Sequence, residues 1–441
     1  MTEGRTATGS GRFIWGSATS SYQVEGATNV DGRGESIWDR FAATPGRIAD
    51  GSDGSVACDH YHRYDEDIAL MNWMGLDAYR FSIAWPRVVP DGDGAVNPAG
   101  LDFYDRLVDA LLAAGISPCP TLYHWDLPQA LEDKGGWTAR ATAEAFVRYT
   151  EAVVGRLGDR IDTWMTLNEP FVSADHGYRA GEHAPGRTSL PDALAAAHHL
   201  LLAHGMAVPA IRRLAPTADV GIVLNFTPVV PDPEPGTGAA IVDAWENRWY
   251  VEPVAGSGYP EVGVTGLDWA QDEVQPGDLE TIAAPIDVLG VNYYTCQRVA
   301  PDGTVADPEP PLTDFGWEIA PDHLRQLLER LHQRHGFARY LITENGAAMP
   351  DKAGEDGEIA DHDRIEYYRD HIEAVMAART AGVPVEGYYA WSLLDNFEWA
   401  QGYRKTFGLL SVEPGTLERR PKASAHWLRE RIRTEKGERD G

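Results

Sequence analysis

Apolar residues fall along this chain in short runs rich in β-branched and aromatic side chains, and the stretches between them repeat apolar positions at helical spacing. The runs at 12–18, 78–83, 117–123, 163–167, 220–225, 287–293, 340–343 and 385–391 predict eight strands. The periodic stretches at 64–74, 100–114, 138–157, 190–214, 323–335 and 365–381 predict amphipathic helices between them. Strand followed by helix, repeated, implies parallel pairing, because each helix carries the chain back to start the next strand on the same side. Eight such units are the number that closes a (β/α)8 barrel. A doubly wound open sheet is the alternative; it usually carries a Gly-rich phosphate turn after an early strand, and none occurs here.

No Ser- or Gly-rich linker and no solenoid repeat divides the sequence. The expectation is therefore a single α/β domain, a TIM barrel spanning 11–430 with its active site at the C-terminal ends of the strands, and flexible termini at 1–10 and 431–441. Segments 227–238, 301–314 and 350–363, rich in Pro, Gly or acid, read as long rim loops, and the tail from 433 reads as charged and frayed.

Composition narrows the partners. The chain has 441 residues, and 38 basic against 67 acidic side chains give a net charge of −29, which repels nucleic acid and anionic membranes. Five lysines occur, Lys134, Lys352, Lys405, Lys422 and Lys436, and none lies on a predicted strand, which argues against a Schiff-base barrel enzyme. Cys58, Cys119 and Cys296 form no CxxC pair and no disulfide framework. The first residues contain no apolar signal core, and no stretch reaches the ~20 apolar residues of a membrane span, so a cytoplasmic location is expected. His60 and His62 precede a helix rather than end a strand, so neither a metal nor any cofactor is expected.

Barrel enzymes place their chemistry where the strands end. Here those ends carry Gln23, Arg80, His124 with Trp125, Asn168 with Glu169, Asn225, Asn292 with Tyr294, Glu344, and Trp391 followed by Glu398 and Trp399. Amide, imidazole and carboxyl groups bond several hydroxyls at once, and aromatic faces cover the C–H side of a pyranose, so the set suits a neutral sugar. Glu169 and Glu344 adjoin buried β-runs on strands four and seven, where a carboxylate is costly to desolvate without partners. On opposite sides of an eight-stranded ring they would face each other, as glycoside hydrolysis requires.

The runs Thr166-Leu167-Asn168-Glu169-Pro170 and Ile342-Thr343-Glu344-Asn345-Gly346 resemble the two catalytic signatures of glycoside hydrolase family 1, the β-glucosidase family. The likeness continues through 13–26, 79–87, 124–128 and 391–399, in family order, over roughly residues 11 to 430. The resemblance implies a retaining β-glycosidase, most simply a β-glucosidase of terminal glucosyl, galactosyl or fucosyl residues that contributes to cellulose degradation. Glu344 would be the nucleophile and Glu169 the acid/base, with carboxyls about 5–5.5 Å apart. Arg80 would favour the ionised nucleophile, whose charge would raise the acid/base pKa.

By the same resemblance, Gln23, His124, Asn168, Tyr294, Trp391, Glu398 and Trp399 would bind substrate, with Tyr294 orienting Glu344 and with Arg80, Asn292 and Trp125 in support. Trp317, Asn225 and His183 would line the aglycone side. Small neutral β-glycosides, such as cellobiose and aryl or alkyl β-glucosides, are the implied partners. Phe171 stands where the family commonly has Trp, and Gln401 and Thr406 where it often has acidic and basic residues. A 6-phospho-β-glycosidase is the competing reading, but Glu398 would repel a phosphate. A predominantly transglycosylating enzyme uses the same intermediate and differs at the rim.

Overall fold

The computed structural model describes residues 12–261, 273–354 and 357–437. Eight parallel strands close a barrel in chain order: β1 Ile14–Ala18, β2 Ala78–Ser82, β3 Ser117–Tyr123, β4 Thr163–Asn168, β5 Asp219–Phe226, β6 Val288–Tyr293, β7 Tyr340–Asn345 and β8 Val385–Trp391. Ring closure is the pairing of β1 with β8, Ile14 opposite Gly387 through Ala18 opposite Trp391. The open-sheet alternative is thereby excluded.

Two cores hold the barrel. Inside the ring, Ala78, Cys119, Met165, Val223 and Val288 belong to one buried cluster. Outside it, each strand's other face packs on the helical shell; Trp164, Ile222, Leu289 and Ile342 meet helices such as Pro98–Ala113, Arg140–Leu157, Leu190–Leu214 and Pro321–His335. Alternation along each strand thus assigns one residue to the interior and the next to the shell.

Some boundaries move. The domain expected to end at 430 runs on, because the last helix is Ala423–Lys436. Ile432 lies one turn beyond Leu428, both are buried, and Lys436 Nζ donates to the Gly75 carbonyl, so 431–436 is anchored rather than frayed. The flexibility expected of 1–10 and of 438–441 lies outside the described residues. Leu190–Leu214 is long and apolar enough to cross a bilayer, contrary to the expectation that nothing is; 89% of its apolar window is buried in the fold. The segment 227–238 is not all loop, since Val229–Val230 pairs in parallel with Gln297–Arg298. Of the segment 350–363, residues 355 and 356 lie outside the described residues.

Candidate active site

The mouth of the barrel gathers its polar side chains where the ladders slip register. β4 slips against β5 between Met165 and Asn168, β6 against β7 between Val291 and Asn292, and β7 against β8 just before Asn345. Such irregularities re-aim side chains that strict alternation would send to the wrong face. Trp125, Glu169 and Trp399 add a second distortion, all in the left-handed region with φ of 77°, 47° and 47°. For non-glycine residues this costs about 1–3 kcal/mol each, and the surrounding bonds hold them there. Glu169 N–H donates to Val223 O, and Trp125 Nε1–H to Asn168 O.

Glu169 directly follows β4, whereas Glu344 lies within β7 and Arg80 in the middle of β2, deeper than a strand end. Arg80 is fully buried and organises the floor. Its guanidinium donates to Glu344 Oε1 at 2.5 Å, to Asn168 Oδ1 at 2.8 Å and to Thr121 Oγ1 at 3.1 Å. Tyr294 OH donates to Glu344 Oε2 at 2.6 Å, and the nearby carboxylate together with burial pushes this phenol well above its ordinary pKa, so it stays a donor. Glu169 and Glu344 do not sit diametrically apart. Two strands separate them, and Asn292 on the second of these, β6, links their surroundings. Its Oδ1 accepts from Thr343 Oγ1 at 2.7 Å, which turns its Nδ2 toward Glu169 Oε1 at 2.6 Å and Asn168 Oδ1 at 3.1 Å.

These contacts make the two carboxyls chemically unequal. Glu169 is pushed up to about 8, first by burial and second by the charge of Glu344, against the opposing Asn292 bond and Arg80. The repulsion from Glu344 acts as expected, and burial outranks it. Because Asn292 occupies Glu169 Oε1, the proton of the neutral acid belongs on Oε2. Glu344 is tied to a guanidinium and a phenol. A protonated acid near a carboxyl group held by a guanidinium and a phenol suits an acid–nucleophile pair.

Around this pair the predicted sugar ligands come together. The His124 ring stacks between Trp391 (5.9 Å, 16°) and Trp399 (6.0 Å, 17°). Burial and then Arg80 hold its pKa well below the ordinary value, so the ring is neutral. Its Nε2 accepts from Asn168 Nδ2 at 3.1 Å, which places its proton on Nδ1 and leaves Asn168 a second amide proton for a hydroxyl. Gln23, on the short helix Ser21–Val24, is fixed by Ser20, Asn396 and the Phe397 carbonyl, and its Nε2 reaches Glu398 Oε2 at 3.5 Å. Glu398 is raised to about 8 by burial and by Glu344. A neutral carboxyl there both donates and accepts.

At the rim, Trp317 packs on Tyr294 at 5.7 Å and stacks on Phe315 at 4.5 Å. Asn225 stands in register with Asn292 at the end of β5. The His183 ring packs against Trp38, Trp125 and Trp399. Phe171 meets His176, Trp245 and Tyr250 edge-on, so an aromatic wall survives the exchange of Trp. Gln401 closes the turn after Glu398, and Thr406 Oγ1 donates to Met349 O.

Thr121, Thr343, Ser20 and Asn396, to which the sequence assigns no role of their own, fix Arg80, Asn292 and Gln23. The available signal was a threonine interrupting each of two apolar strands. His60 pairs with Asp67, which Arg419 also holds, and His62 pairs with Asp59, so the two histidines do not converge on one centre. Among the described residues, Cys296, Glu318 and His323 bring donor atoms within 4.8 Å, but Glu318 is engaged by Arg298 through both carboxylate oxygens.

Glycosyl hydrolase family 1 matches the chain over residues 6–437. The chain is similar to β-glucosidase A of Acetivibrio thermocellus, 45% identical over 438 residues that cover 96% of this chain and 97% of that protein. It is 48% identical to thermostable β-glucosidase B of Thermobispora bispora, covering 96% and 90%. The solved β-glucosidase of Thermotoga maritima in complex with glucoimidazole superposes with a TM-score of 0.91 at 41% identity, covering 96% and 98%.

Proposed function

The chain belongs to glycosyl hydrolase family 1 and is a retaining β-glucosidase acting on small β-glycosides, and from that premise we propose how its residues divide the reaction. Glu344, steered by Arg80 and Tyr294, attacks the anomeric carbon while Glu169 Oε2–H protonates the departing oxygen. Aglycone departure leaves a glycosyl ester on Glu344, which has lost its charge. That removes one of the three influences raising Glu169, which then takes a proton from the incoming water. Asn168 Nδ2 bonds the 2-hydroxyl, whose interaction strengthens as positive charge develops on the ring.

The observation that carries this division is the single amide of Asn292, which engages Glu169 while Arg80 engages Glu344. The test is Glu344→Ala: turnover of aryl β-glucosides is lost, and azide restores it with the inverted α-glycosyl azide as product. A folded variant without rescue removes Glu344 from this role.

Glu398 and Gln23 read the far hydroxyls of the glycone. Lys405, the lysine that follows the β8 loop, is bound to Asp314 rather than free for a phosphate. Cellobiose and aryl or alkyl β-glucosides are the substrates this pocket fits, and the last step of cellulose degradation is the process it serves. The unpaired, buried Cys58, Cys119 and Cys296 support a reducing, cytoplasmic setting.

A further inference from the structure

Behind Trp125 lies a small cavity walled by Ile37, Val172 and Ala184 on its apolar sides and by Trp38, Ser173 and His183 on its polar side. The space open to the centre of a water-sized sphere is ≈ 10 Å³, about what one water molecule needs. Trp38 Nε1, Ser173 Oγ and His183 Nδ1 are all buried, and none has a protein hydrogen-bond partner within 3.5 Å, although Ser173 still acts on the Tyr123 hydroxyl of the same wall. Leaving one such group bare costs about 1–3 kcal/mol, and three around one cavity call for a shared partner.

The chemistry of the three atoms selects that partner. Trp38 Nε1–H only donates, so the occupant must accept there, which excludes a cation. Burial, with His176 nearby, keeps the His183 ring neutral, so exactly one of its nitrogens holds a proton. A space of this size suits a single water. We propose that this cavity binds one water molecule that accepts from Trp38 Nε1–H, donates to Ser173 Oγ and His183 Nδ1, and so fixes His183 as the Nε2–H tautomer, a donor for an aglycone oxygen. Ser173 lies one turn after Glu169, and its N–H donates to the Glu169 carbonyl, so the water also braces the helix that follows the acid/base. The aglycone part of this inference rests on the reading of the rim given above.

A crystal structure that resolves ordered solvent should show one density peak within about 2.7–3.2 Å of all three atoms. Nitrogen NMR of imidazole-labelled protein should show His183 Nδ1 unprotonated. Ser173→Ala removes one partner and should raise KM for cellobiose about two- to ten-fold relative to KM for p-nitrophenyl β-glucoside, the equivalent of one hydrogen bond. An empty cavity in the wild-type crystal, or a proton on His183 Nδ1, overturns the proposal. Both readouts are independent of turnover, so their failure is distinct from failure of the catalytic assignments.

Discussion

Asn292 decides which oxygen of Glu169 carries the proton, and Thr343 decides which way Asn292 faces. With Glu169 raised to about 8, the acid is protonated below that pH and loses its proton above it. We therefore expect kcat/KM on p-nitrophenyl β-glucoside to fall along a basic limb near pH 8. Asn292→Ala removes the bond that lowers this pKa, so the limb should move to higher pH, while kcat falls by up to roughly 10²-fold. A limb that stays put or moves down would show that another group governs it. Thr343→Val frees the Asn292 amide to rotate and should slow substrates with poor leaving groups more than activated ones, measured as the change in leaving-group dependence of kcat/KM. None of this orientation was legible in the sequence. The residue types at the strand ends announced the chemistry, but a hydrogen bond between positions 51 apart is a product of the closed ring.

At the scale of elements, the barrel was legible because each strand's apolar run is short and each helix repeats at its own period. The register slips that aim Asn168, Asn292 and Asn345 were not, because a slip depends on the neighbouring strand. Helix starts were displaced for a local reason: Pro321 begins its helix ahead of the apolar spacing that signalled it, and a 3-10 turn at Gly136–Thr138 occupies the start expected for Arg140–Leu157. Gly346 shows how tightly β7 and β8 approach beyond the site. A Cβ at this position would lie inside the van der Waals distance of the Trp391 carbonyl oxygen. Gly346→Ala should force apart the ends of β7 and β8, which carry Glu344 and Trp391, and destabilise the fold by about 1–3 kcal/mol, measured by urea unfolding, with a larger proportional loss of kcat/KM than of stability.

At the scale of the whole molecule, buried charge ties distant parts together. Lys422, fully buried, reaches Asp351 at 2.5 Å and Asp395 at 2.8 Å, and Arg364 joins Asp351, Asp361 and the carbonyls of Ala347 and Thr406. Lys422→Met leaves Asp395 without its bonded cation and Asp351 with Arg364 alone, and should cost about 3–5 kcal/mol, read as a lower urea midpoint. The net charge of −29 acts differently, being spread over the surface. Added salt should raise the unfolding midpoint by screening self-repulsion while leaving KM for an uncharged glucoside nearly constant.

The reach of Lys422 also orders events during synthesis. Asp395 holds the β8 loop from which Glu398 and Trp399 project, and its counter-charge arrives 27 residues later, on the segment leading into the last helix. A nascent chain can form all eight strands and still lack the cation that settles its sugar-binding loop. A chain truncated before Lys422 should therefore hold all eight strands and still lack a settled sugar-binding loop.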